Sequence, residues 1–434
     1  MQIANCKVKI GLMVAAILST ATLHADDGTT LAPYPKLSAQ SDWPWWRGPS
    51  RNGVAAEKQA PPVKWSETEN VVWKVPVPGR GHASPIVIGD RIFLATADEA
   101  SQTHSAVAFD RQDGKQLWQV DLSTGGFPAR NHPKNTEASS TIACDGERLY
   151  TTFFHHKKIE AIALSLAGKE VWRQDVCAFN PKTYEYGFAP SPVVYGDTII
   201  VAAEWDNAES SLVALDRASG KQIWRTPRPK NISFSSPVVA HLAGRDQLLI
   251  SGADTIVSYD PVSGKQLWSV EGTTAATCGT IVWDGDIIYA SGGYPKSETL
   301  AIRATADSGE VLWRNRQNCY EESMLATNGH LYALTGKGVV YCWNGTTGDE
   351  QWSQRLKGPV SSSPVLAGGH IYWTNEFGTT YVFQPTPQKF ELVAENKLGE
   401  EGFASPAVSR GQLFLRTATR TGGKRQEWLY CLGK

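Results

Sequence analysis

The chain has 434 residues, 41% of them hydrophobic, with 42 Lys and Arg against 43 Asp and Glu. That length and apolar content are enough to bury a large core, which excludes a disordered chain. A formal net charge of −1 with no basic run excludes a nucleic-acid binder that works by charge.

In chain order, Lys7 and Lys9 precede an apolar run, Ile10 to Leu18, and then small residues, with cleavage expected after Ala21 or Ala25. Residues 1–25 therefore read as a secretory signal peptide, the run being too short to span a membrane. Cys6 lies before the run, so no lipid-acceptor Cys follows it. The expectation is an exported, periplasmic or extracellular chain without a lipid anchor and without a transmembrane segment once processed. Six Cys then remain in an oxidising compartment. Cys278 and Cys319 hold similar repeat positions and are candidates to pair; Cys342 and Cys431 are not, and free buried thiols are expected for most.

Residues 26–70 form an arm without repeat character, holding WPWWRGPSRNG from Trp43 onward. Three clustered Trp must be covered or used. One reading is an aromatic binding surface; the other is a cap packed on the body, favoured because exposed patches of that size are rare.

From Val71 to the C-terminus, two phrases alternate. The first is a Gly turn followed by a Trp strand: FDRQDGKQLW (Phe109–Trp118), LDRASGKQIW (Leu215–Trp224), YDPVSGKQLW (Tyr259–Trp268) and looser copies. Its tryptophans fall at Trp73, Trp118, Trp172, Trp224, Trp268, Trp313 and Trp352, a period that signals a repeat architecture. The second phrase is a Ser-Pro strand and two-residue hairpin, as in ASPIVIGDRIFLAT from Ala83 and SSPVLAGGHIYWT from Ser362. It occurs eight times, and each occurrence reads as two β-branched runs around a tight turn. One repeat is thus a four-stranded meander. The last lacks a fourth strand, which Val71–Val77 (VVWKVPV) can supply. Ends that complete one unit close a ring, so the predicted fold is all-β, a single eight-bladed β-propeller over residues 71–434. The seventh unit, FQPTPQKFELV (Phe383–Val393), has no Trp.

The phrase D-x-x-[ST]-G-K-x-x-W at Asp216–Trp224 and Asp260–Trp268 resembles the repeat of quinoprotein alcohol dehydrogenases. The same repeat occurs in BamB, the propeller subunit of outer-membrane barrel assembly, and in secreted PQQ-like repeat proteins. WPWWRGPSRNG, NKLGEEG (Asn396–Gly402) and GFASP (Gly402–Pro406) resemble the secreted group. The resemblance implies the propeller fold and a Trp that docks between adjacent blades. It carries no function by itself. In the dehydrogenases it would imply pyrroloquinoline quinone with Ca²⁺, an Asp base and a vicinal Cys pair. No adjacent Cys and no matching calcium-ligand stretch occur here, so the motifs do not support that cofactor.

The loops on one face of such a disc are where function is expected. The longest runs are Asp121–Ala138 and Asp175–Pro190, with Thr96–Ser105, Ala203–Ser211, Ala290–Thr299 and Thr417–Glu427 beside them. His82, His104, His132, His155 and His156 fall on that face, as do Asp98, Glu99, Glu137, Glu204 and Asp206. Of these, His82, His132 and Glu137 make a candidate transition-metal set. Segments leading into the inner strands line the channel mouth, where a small ligand is expected: Arg80, His82, Glu137, Tyr186, Asn231, Glu321, Glu322 and Glu401, with Ser233, Thr277, Ser361 and Phe403. No Gly-x-Ser-x-Gly elbow exists, so no catalytic residue is assigned. The repeated Asp110, Asp216 and Asp260 are expected to bond their own turns. The leading expectation is a monomeric, non-catalytic scaffold for an extracytoplasmic protein or small ligand. The alternative is an enzyme of the loop face, either a quinoprotein dehydrogenase or a metal-dependent one.

Overall fold

The computed structural model describes residue 31 and residues 33–434; the expected signal peptide, residues 1–25, lies outside them. Thirty-two strands build eight four-stranded antiparallel sheets, and no helix occurs among the described residues. The fold is an eight-bladed β-propeller. Blade 1 runs Ile86–Ile88, Arg91–Asp98, Thr103–Asp110 and Gln116–Thr124 from channel to rim. Its second and third strands are buried on both faces because neighbouring blades cover them, and they read as unbroken apolar runs. The rim strand alternates between exposed and covered positions.

The inner strands of blades 2 to 8 are Ala143–Cys144, Val193–Tyr195, Val238–Leu242, Val282–Asp284, Leu325–Thr327, Val365–Ala367 and Ala407–Ser409. Hairpins from inner to second strand are tight. Asn328 and Gly329, at φ 51° and 73°, give the primed turn that suits strand twist. Val71–Val77 pairs antiparallel with Lys424–Leu432, Val77 opposite Glu427, so the N-terminal strand completes blade 8 and closes the ring.

Five of the repeat indoles hydrogen-bond directly to the next blade. Trp73 Nε1 donates to the Arg111 carbonyl, Trp118 to Leu166, Trp172 to Arg217, Trp313 to Gly345 and Trp352 to Thr386, each acceptor lying in the next blade's outer turn. Trp268 reaches its neighbour through a relay. It donates to Gln247 Oε1, and Gln247 Nε2 donates to the Thr305 carbonyl. In blade 7 Ala394 occupies the register position that Trp224 holds in blade 3. The space is filled from elsewhere: Trp65 of the arm stacks on Tyr372, ring centroids 6.2 Å apart and 11° from parallel. The arm supplies the indole that blade 7 lacks.

The rest of the arm crosses the hairpin end of the channel. Trp43 bridges Val87 of blade 1, the Cys144 N–H of blade 2 donates to the Pro44 carbonyl, and Val54 bridges Leu366 of blade 7. Arg51 lies over Trp45 and donates to the Val194 carbonyl of blade 3 at 2.6 Å. Arg47 donates to the carbonyls of Met324 and Pro364 at 2.8 and 2.6 Å, and Asn52 exchanges hydrogen bonds with the Trp283 main chain. The segment is a cap, and it makes the channel blind at this end.

Two runs expected as loops are strands. Arg91–Asp98 pairs with Thr103–Asp110, and Gln412–Thr421 with Lys424–Leu432, leaving only short turns at Thr96–Ser105 and Thr417–Glu427. Their Thr and Ala residues extend the ladder because pairing satisfies backbone groups that a loop would leave to water. The six cysteines among the described residues are free thiols, so the Cys278–Cys319 pairing is not formed. Asp216 accepts from the Ser219 N–H at 2.7 Å and Asp260 from the Ser263 N–H at 2.8 Å, each bonding its own turn.

Candidate functional site

The site grows out of the Ser-Pro phrase. Its Ser or Thr recurs as Ser84, Thr141, Ser191, Ser236, Thr280, Ser323, Ser363 and Ser405, one per blade. Their hydroxyls accept main-chain N–H groups from the preceding blade: Ser84 N to Thr141, Thr141 N to Ser191 and Ser191 N to Ser236, then Thr280 N to Ser323, Ser323 N to Ser363, Ser363 N to Ser405 and Ser405 N to Ser84, at 2.7–3.1 Å. One link is replaced. Thr280 Oγ1 accepts from Trp46 Nε1 of the arm at 2.8 Å, so Trp46 floors the channel at the level of this ring.

Two residues before each ring hydroxyl, the alternation of a strand faces a second layer to the lumen. That layer is His82, Ser139, Ala189, Phe234, Cys278, Glu321, Ser361 and Phe403, and all eight line a cavity of about 170 Å³. The loop from Gly125 to Ile142 lies across its mouth. Lys134, from this loop, binds Glu376 at 2.7 Å and Glu321 at 3.3 Å on the far blades, and Ser361 Oγ sits between the same two carboxylates at 2.7 and 2.5 Å. Burial works against the Lys134 charge, but hydrogen bonding to Glu376 and the charge of Glu321 outweigh it and raise its pKa. His132 packs edge-on to Tyr186 at 4.9 Å, and Asn135 Nδ2 donates to the Tyr186 carbonyl at 2.6 Å.

The expected site residues separate. His82, Tyr186 and Glu321 line the cavity, and His132 joins them from the loop. Arg80 turns to the rim and pairs with Glu99 at 2.8 Å. Glu401 is taken by Arg420 and Arg425 at 2.6 and 2.8 Å. Asn231 bonds its own loop at the Ile232 N–H. Glu322 sits behind the wall, 1% exposed, and burial drives its carboxyl well above the usual range. Glu137 accepts from Asn131 at 2.7 Å, and burial pushes its pKa up to about 7.

His82 stacks flat on Phe403, centroids 4.3 Å apart. Burial, then the nearby Arg80, Arg425 and Arg416, hold its pKa well below that of a free imidazole, so it is neutral at pH 7. The metal set of His82, His132 and Glu137 is not assembled. His132 Nδ1 accepts the Lys134 N–H at 3.2 Å, and Glu137 is held by Asn131. Among the described residues no three His, Cys, Asp or Glu side chains are arranged to hold a metal ion. His104, His155 and His156 lie away from the channel, at the seam of blades 1 and 2. His104 Nε2 bonds the Phe154 carbonyl and packs on Phe127 and Phe153, while His155 lies against Ser123 and Glu160.

The family described as outer membrane protein assembly factor BamB matches residues 50–136, 102–317 and 296–386, most of the chain. The chain belongs to this family. A BamB of Yersinia pestis is 24% identical over 448 positions, covering 95% of this chain and 96% of its own. One from Burkholderia pseudomallei is 21% identical and covers 71% and 85%. Among solved structures, BamB from Moraxella catarrhalis matches with a TM-score of 0.59 at 15% identity, over 83% of this chain and 99% of its own. A quinohemoprotein alcohol dehydrogenase from Comamonas testosteroni matches with a TM-score of 0.63 at 12% identity, over 94% and 84%. At such identities the structural likeness speaks for the fold alone.

The dehydrogenase neighbour raises the question of a quinone in this BamB-family channel. A flat tricarboxylate needs cations and a carboxylate-held metal beside its aromatic floor. Trp46 offers a floor. Of the described residues lining the cavity, however, Lys134 is the one Lys or Arg, and two carboxylates already neutralise it. The donor set does not fit the group.

Lys134, Phe234, Ser139 and Ala189 were not singled out from sequence, and Trp46 and Cys278 were named there only as part of the Trp cluster and as a pairing candidate, not as channel residues. Four of these sit two residues before a ring hydroxyl, a signal present in the repeat. Trp46 and Lys134 come from segments that do not repeat.

Proposed function

We propose that this BamB-family chain is an exported scaffold that docks another extracytoplasmic protein on its loop face. The observation that carries the reading is the asymmetry of the disc: the arm seals the hairpin end, while the long loops and the channel mouth share the other. Exposed aromatics ring that mouth, Tyr186, Tyr294 and Phe377 being 39%, 48% and 53% exposed, the residue types that anchor protein interfaces. The relatives named as outer membrane assembly factors support a protein partner and a periplasmic setting. No helix among the described residues is long and apolar enough to cross a membrane. In this reading the repeat tryptophans are the blade-docking elements that keep the scaffold rigid, and the loop face does the binding. A quinone- or metal-dependent enzyme has less support, since neither donor set is assembled.

The test is site-specific photo-crosslinking in the cell envelope. A photoreactive residue at Tyr294 or Phe377 is expected to capture a discrete partner, and one at Val262, 67% exposed on a turn of the sealed face, none. Equal capture from both faces, or none from the loop face, sinks the reading.

A further inference from the structure

The blind channel holds chemistry that protein docking on the loop face does not use. Seven of the eight ring hydroxyls accept an N–H from the neighbouring blade, which leaves the hydroxyl's own O–H to donate. For Ser191, Ser236, Ser363 and Ser405, all lining the cavity and at most 7% exposed, the described residues provide no acceptor. His82 lies on the same wall, and its buried Nε2 has no hydrogen-bond partner among the described residues. Aromatic planes bound the same space: Trp46 below, the His82–Phe403 stack on one side, and Tyr186 with Phe234 across from it. The cavity they enclose has a volume of about 170 Å³.

We propose that this channel binds a single uncharged, polyhydroxylated ring, a sugar. The wall offers several hydroxyl donors at one level and flat apolar surfaces around them. A sugar ring answers both, with C–H faces for the aromatic planes and hydroxyls that accept from the serines and donate to His82. An anion is disfavoured because Lys134 is already neutralised and Glu321 faces the same space. An aromatic side chain from a partner would fill the volume but would pair with few of the donors, leaving the rest desolvated and unsatisfied. The loop carrying Lys134 closes over the mouth, and its carboxylate partners Glu321 and Glu376 add acceptors at the rim. The inference does not depend on the docking reading, since the sugar sits inside the channel and the partner on its face.

Calorimetry and saturation-transfer NMR on the whole exported chain test it, with glucose, galactose and N-acetylglucosamine as probes against indole, p-cresol and inorganic phosphate. One-to-one saturable binding of a sugar is expected, weakened about tenfold by Phe403→Leu, which removes a stacking plane. His82→Phe keeps the stack, removes the Nε2 acceptor and should weaken binding as well; it carries the test alone if the first variant does not fold. Binding of indole, p-cresol or phosphate without any sugar overturns the proposal, as does no binding at all, or sugar binding that both variants leave unchanged. Photo-crosslinking on the loop face reads the docking proposal separately, so either can fail without the other.

Discussion

Gly220 is fixed twice over, by its own backbone and by the blade beside it. Its φ is +74°, and a Cβ there would lie 2.6 Å from the Trp172 ring of blade 2. Gly220→Ala therefore combines left-handed strain with overpacking, and a stability loss of about 2–4 kcal/mol is expected in urea unfolding. An unchanged midpoint would mean that the indole does not hold its place against the turn. Glu137 offers a residue-scale prediction with a sign. Burial raises its folded pKa to about 7 from an ordinary 4.5. Such a carboxyl holds its proton more tightly when folded, so the stability it lends is full below its unfolded pKa and is lost as pH rises through about 7. Between about pH 4 and pH 8 the wild-type chain should lose stability relative to Glu137→Gln, which stays neutral throughout. Unfolding midpoints for both proteins at the two ends of that range check it; a constant difference between them would refute the assignment.

At the scale of elements, blade 7 shows a repeat repaired from outside itself. Its rim strand, Leu392–Lys397, carries Ala394 where other blades carry Trp, and Trp65 fills the space from the arm. Trp65→Ala should cost about 3–5 kcal/mol, as deletion of a buried aromatic does. Hydrogen exchange should rise first in Leu392–Lys397; a rise spread evenly over all blades would count against a local role. The missing Trp was visible in FQPTPQKFELV, yet its substitute was not, because Trp65 belongs to no period. The channel wall divides in the same way. Its second layer follows from strand alternation, so Phe234, Cys278, Ser139 and Ala189 were open to a reader counting two residues back from each ring hydroxyl. Arg80 and Glu401 share that neighbourhood in sequence but leave the wall, drawn off by Glu99 and by Arg420 with Arg425. Ion pairs made across strands have no signature in a single repeat.

At the scale of the whole molecule, the arm joins blades that are far apart in the ring. Arg47 is 3% exposed, and it donates to the carbonyls of Asn52, Met324 and Pro364 without a carboxylate partner among the described residues. Burial lowers its pKa to about 9, which still leaves it charged at pH 7. Arg47→Met strands these carbonyls at about 1–3 kcal/mol each, so the arm should loosen and the chain should unfold several kcal/mol more easily. Limited proteolysis reads the first effect as cleavage within residues 31–70, and denaturant unfolding the second. Protection of the arm equal to wild type would show that its other contacts suffice.

Periodicity alone determined the strand order, the number of blades, the closing role of Val71–Val77 and the turn-bonding Asp residues. Each of these depends on contacts between near neighbours, and those are written into every copy of the repeat. The tertiary structure decided that the channel is blind, that Trp46 floors it, and that Lys134 bridges its mouth. Those positions depend on where non-repeating segments land once the ring has closed, on contacts between residues hundreds of positions apart that no local pattern encodes.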